Sequence, residues 1–147
     1  MRIVNRFPST IFTVVVIASL AIAAHAATVT LKADLKGATE VPANDSSGTG
    51  TLTATLNTET NEFKYHIEFS ALSGPVVAAH FHGPAEAGTN AKPQIPIKTS
   101  PISSPIDGSA TLTPEQAKDL TDGKWYFNLH TAGNPRGEVR GQVVRAE

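Results

Sequence analysis

Phe63-Lys64-Tyr65-His66-Ile67-Glu68-Phe69 decides the fold. Phe63, Tyr65, Ile67 and Phe69 occupy every second position, with Lys64, His66 and Glu68 between them. Side chains alternate faces along a strand, so this period of two puts the apolar set on one face and the polar set on the other. A helix would scatter the same four residues around its circumference. Working outward toward the N-terminus, Asn57-Thr58-Glu59-Thr60-Asn61 is a short polar connection. Before it, Leu52, Ala54 and Leu56 alternate with threonines, so the two segments predict a hairpin. Val29, Leu31, Ala33 and Leu35 alternate with Thr30, Lys32 and Asp34 in a further half-buried strand, and the Pro- and Asn-containing segment from Gly37 to Gly50 is a polar loop.

Toward the C-terminus, Ser73-Gly74-Pro75 turns the chain into a strand over Val76–His82. Residues 83–94 form a Gly/Pro/Asn loop, and Pro93, Pro96, Pro101 and Pro105 confine Gln94–Ile106 to short, edge-like extended pieces. Asp107-Gly108 opens a strand over Ser109–Leu112. Thr113 as N-cap, Pro114 at the first helical position and Gln116 reaching back predict a short helix near 114–121, closed by Gly123. Lys124–Thr131 and Glu138–Val144 are the last two strands. Short strands at regular spacing with one helical turn define an all-β protein. The expectation is an antiparallel Greek-key β-sandwich, immunoglobulin-like or superoxide-dismutase-like, of seven to nine strands; an up-and-down barrel is the alternative. Its expected core is Leu31, Leu35, Leu52, Leu56, Phe63, Tyr65, Ile67, Phe69, Phe81, Leu112, Trp125, Phe127, Leu129, Val139 and Val143.

The first residues obey different rules. Arg2 and Arg6 precede an apolar run from Ile11 to Ala24, and Ala24-His25-Ala26 is a small-x-small cleavage signal. Residues 1–26 are therefore expected to be a cleaved signal peptide, the run being shorter than the ~20 residues of a spanning helix. The mature chain, 27–147, is then one exported domain with no membrane span, destined for the periplasm or the extracellular space. Cysteine is absent, so no disulfide contributes. Without Arg2 and Arg6 the mature chain carries 10 basic and 13 acidic residues, a net charge of −3. Dispersed charges of that sign leave no electrostatic footprint for nucleic acid.

The chemistry lies in Ala79-His80-Phe81-His82-Gly83-Pro84 and Asn128-Leu129-His130-Thr131. His80 and His82 share one face of their strand, opposite Ala79 and Phe81, and His130 alternates against Trp125, Phe127 and Leu129. If the two strands are neighbours, three imidazoles converge on one point. Neutral imidazole is a common ligand for zinc and Cu(II), so His80, His82 and His130 are the candidate metal ligands, for copper or zinc. The competing expectation is three polar surface residues with no metal. Asn128 shares the His130 face and is a candidate to orient a ligand. Glu138 and Arg140 alternate outward, either as a same-face ion pair or with Glu138 accepting from a histidine N–H. His66, between Lys64 and Glu68, is expected on a solvated face. No phosphate loop, nucleophile elbow or acidic dyad is present, so no catalytic residue is assigned and an enzymatic role is not favoured.

The blocks Ala79 to Ala85, Trp125 to Thr131 and Asn134 to Gln142, with Glu40-Val41-Pro42 near the start, resemble the chordin (CHRD) domain, of the stand-alone type found in secreted bacterial proteins. That resemblance implies an exported β-sandwich domain and no particular chemistry. The His-x-His pair with a later third histidine is also similar to the copper site of copper/zinc superoxide dismutases. The loop 83–94 lacks the His and Asp that a bridged zinc site needs, so dismutase-like redox activity ranks last. Two functional classes lead: a metal-binding domain, and a metal-free interaction or adhesion module presenting loops 38–50 and 83–107 to an unknown protein partner. The chain leaves the oligomeric state open.

Overall fold

The computed structural model describes residues 27–147; the expected signal peptide lies outside the described residues. Eight strands run in chain order: β1 (Thr28–Lys36), β2 (Thr49–Asn57), β3 (Glu62–Ser70), β4 (Val76–His82), β5 (Pro93–Pro96), β6 (Ile106–Thr111), β7 (Trp125–Thr131) and β8 (Val139–Arg145). One helix, α1 (Pro114–Thr121), separates β6 from β7, and a 3-10 turn covers Gly37–Thr39. All pairings are antiparallel, in the order β5-β4-β7-β8-β1-β2-β3-β6. Two four-stranded halves are joined where β8 pairs with β1, Arg140 standing opposite Lys36. The sheet is therefore continuous and curls nearly into a barrel. The all-β, antiparallel expectation holds in class, in strand number and in the position of its single helix.

Alternation fixes the inner face. Leu31, Leu35, Phe63, Ile67, Phe81, Trp125, Phe127, Leu129, Val139 and Val143 are each 0 % exposed. Phe81 packs its ring edge against Phe63 and lies tilted on Phe127, with centroids 5.2 and 4.8 Å apart. Burying each of these side chains contributes about 1.5–3 kcal/mol. Tyr65 and Phe69, in the same row, are only partly buried. Helix α1 begins where its cap residues predict: Thr113 Oγ1 accepts from the Gln116 amide, and the Gln116 side chain accepts from the Thr113 amide. Ala117 and Leu120 are its buried anchors, and it rests on β8.

The curl stops short of closure. β5 and β6 are the two edges, and a cavity of about 500 Å³ lies between them, lined on one side by Ile95 and Ile97 and on the other by Ile106 and Ala110. The β5 edge has proline at both ends of its four residues, Pro93 and Pro96. No helix among the described residues is long and apolar enough to cross a membrane.

Candidate metal centre

β4 and β7 are direct neighbours, the condition on which the three-histidine expectation rests. Their register sets His80 opposite Asn128, His82 opposite Tyr126 and Ala78 opposite His130. Ala79 and Phe81 go inward, at 1 and 0 % exposed, which turns His80 and His82 to the outer face. Trp125, Phe127 and Leu129 likewise turn Tyr126, Asn128 and His130 outward. One ring nitrogen from each of His80, His82 and His130 lies within 4.8 Å of the other two.

The nitrogens that converge are set by the hydrogen bonds of the others. His82 Nδ1 lies 2.9 Å from the Ala91 carbonyl, which only accepts, so Nδ1 carries the proton and Nε2 the lone pair. That Nε2 is buried with no hydrogen-bond partner. His130 Nδ1 meets the Pro135 carbonyl at 3.2 Å and its Nε2 meets Asn128 Oδ1 at 3.1 Å; both partners accept, and the tautomer with the proton on Nδ1 is the one that frees Nε2 for a metal. His130 Nε2 is 3.3 Å from His80 Nδ1. Two nitrogens bound tetrahedrally at about 2.0 Å to one zinc ion lie about 3.3 Å apart, so this pair already stands at ligand spacing. Burial lowers the pKa of all three rings; the neighbouring imidazoles lower His80 further. Each ring is thereby held in the neutral form that a metal requires.

Beside the histidines the outer face is sealed by side chains that tie down a loop. Tyr126 stacks on His82 with centroids 4.7 Å apart and planes 4° from parallel. From the β8 side the Arg140 guanidinium lies 3.4 Å from the Tyr126 ring centre. Arg140 then donates to Asn90 Oδ1 at 2.9 Å and to the Thr89 carbonyl at 2.7 Å. Tyr126 Oη accepts from the Ala91 amide at 3.1 Å, and Gln142 donates to the Ala85 carbonyl at 2.9 Å. Residues 85–91 therefore form a strap across β7 and β8, and the strap's Ala91 carbonyl sets the His82 tautomer.

Two carboxylates are buried near the β7–β8 connection. Glu138 is 0 % exposed and accepts from the Ser73 amide, the Ser73 and Ser46 hydroxyls and the Thr131 hydroxyl. Burial alone would raise its pKa, but these hydrogen bonds outweigh burial and hold it at about 2. None of its donors is a histidine. The ion pair with Arg140 is not formed either: Glu138 precedes β8 and bonds Thr131, which shares the inward parity of Phe127 and Leu129, whereas Arg140 lies over the outward Tyr126. Glu40 is 5 % exposed, with one oxygen unpartnered, and burial raises its pKa to about 7 against the pull of Asn128 and Arg140. It lies flat on Gly137, where a Cβ would come within 2.3 Å of its Oε1. His66 stays apart on β3, exposed, with Asp107 at 2.7 Å raising its pKa.

Tyr126, Glu40 and the strap carry no signal in the sequence beyond their residue types. Tyr126 sits in an aromatic run and Glu40 in a polar loop, and neither position reveals a cover over the outer face.

The CHRD domain family matches residues 31–143, and the chain belongs to that family. No curated protein and no solved structure matches it.

Proposed function

We propose that this CHRD-domain protein is exported and binds a transition metal, copper or zinc, through His80, His82 and His130. The observation that carries it is the convergence of three ring nitrogens within 4.8 Å, with the His82 lone pair turned to that point by the Ala91 carbonyl. An orphaned, buried Nε2 on His82 costs free energy that an ion would recover. Imidazole donors favour Cu(II) over Zn(II) by the Irving–Williams order. The alternative of a metal-free interaction module would present loops 38–50 and 83–107 to a partner. Residues 85–91 are spent on the sheet and on His82, which favours the metal.

Calorimetric titration of tag-free residues 27–147 with Cu(II) and Zn(II) tests the proposal. Wild type binds one equivalent, His130→Ala loses binding nearly as completely as the double change at His80 and His82, and His66→Ala binds normally. Equal binding by wild type and His130→Ala defeats it. Export is tested separately by the intact mass of protein recovered outside the cytoplasm, expected to begin at Ala27.

A further inference from the structure

Asn128 is the floor of the histidine cluster. It is 4 % exposed, stands directly across from His80 in the β4–β7 register, and has Arg140 opposite it on β8. Its Oδ1 lies 3.1 Å from His130 Nε2. In the tautomer that metal binding requires, with the His130 proton on Nδ1 facing the Pro135 carbonyl, that contact sets an oxygen lone pair against a nitrogen lone pair. Two acceptors turned on each other in a buried site repel, unless a cation lies between them. The spacing suits one: neighbouring donors about 2.0–2.1 Å from a common ion are about 2.9–3.4 Å apart. The 3.1 Å from Asn128 Oδ1 to His130 Nε2 and the 3.3 Å from there to His80 Nδ1 both fall in that range.

On its other side Asn128 adjoins the buried Glu40, whose pKa the amide lowers. We propose that Asn128 Oδ1 is the fourth donor to the ion held by His80, His82 and His130. The proposal rests on the metal-binding reading above and deepens it. Three nitrogens and one oxygen supply four protein donors, a count that in zinc proteins marks sites that hold the metal, whereas catalytic zinc sites keep a position open.

The test uses tag-free residues 27–147, titrated with Cu(II) by calorimetry and monitored by electron paramagnetic resonance. Wild type binds Cu(II) and His130→Ala does not; failure at this step overturns the metal reading itself. Given binding, Asn128→Ala and Asn128→Leu weaken it about 10–100-fold and shift the copper hyperfine pattern, while Asn128→Asp, which keeps an oxygen in place, retains the wild-type signal. Melting of the metal-free variants identifies any that fail to fold, and the smaller Asn128→Ala then carries the comparison with Asn128→Asp. Wild-type affinity in Asn128→Ala overturns the fourth-donor assignment. So does weakened binding with an unchanged copper signal, which would make Asn128 a positioning residue only.

Discussion

Glu138 and Glu40 are both buried near the β7–β8 connection, and the two pockets treat a carboxylate in opposite ways. Around Glu138, one backbone amide and three hydroxyls from the segments at Ser46, Ser73 and Thr131 converge, and the charge is stabilised although no water reaches it. Around Glu40, one oxygen has no partner and the carboxyl is pushed up to about 7. Burial is common to both. What differs is the number of donors aimed at the group, and that number decides whether a buried acid keeps or takes up a proton. The first pocket joins three connecting segments. The second adjoins the candidate metal centre and is left partly unsatisfied.

The largest test of this contrast is Glu138→Ala, which strands four donors and should destabilise the domain by about 3–5 kcal/mol in urea unfolding. The pH dependence has a definite sign. The folded pKa of Glu138, about 2, lies below its ordinary 4.5, so its stabilisation is present above pH 4.5 and is lost as pH falls toward 2. A shift of that size corresponds to about 3 kcal/mol, and the acid limb of the stability curve should flatten in the variant. An acid limb unchanged by Glu138→Ala would break the comparison.

Glu40→Gln should act in the opposite sense in metal-free protein. Here the folded pKa, about 7, lies above 4.5, so the group's contribution is fully present below pH 4.5 and is lost as pH rises through 7. The variant should match wild type near pH 4 and exceed it at pH 8, by up to about 3 kcal/mol. Parallel stability curves for the two proteins would mean that Glu40 is not an uncompensated charge. A smaller effect belongs to Ser46→Ala, which removes one of the four donors and should cost about 1–2 kcal/mol by thermal unfolding. Asp107→Asn, which breaks the exposed pair with His66, supplies the zero point, with no change in melting temperature at low or high salt.

Most of the fold is legible in the sequence because alternation reports directly on which side of a sheet is apolar. Phe63 to Phe69 and Trp125 to Leu129 each show it, and the cap at Thr113 places α1 without reference to packing. The histidines are legible for the same reason, since period two puts His80 with His82 and His130 opposite its apolar neighbours. Alternation says which side a residue takes, however, and nothing about whether that side is covered. Glu138 and Arg140 therefore look like a solvent-facing pair, whereas they are 0 and 2 % exposed in separate pockets. The cover comes from residues 37–46 and 85–91, loops without periodicity, whose positions depend on contacts far away in sequence. For the same reason Glu40, in one of those loops, escapes notice as anything more than part of a motif.

The open seam between β5 and β6 has a consequence for crowding and self-recognition. An unclosed sheet presents two rows of backbone groups to any passing extended chain, which is how β proteins seed aggregates. Pro93 and Pro96 remove the amide from two of the four β5 residues, so a visiting strand finds half the donors it would need to continue the ladder. The edge beside the histidine strand is chemically blunted, and the sheet is discouraged from growing by the side on which its candidate metal centre lies.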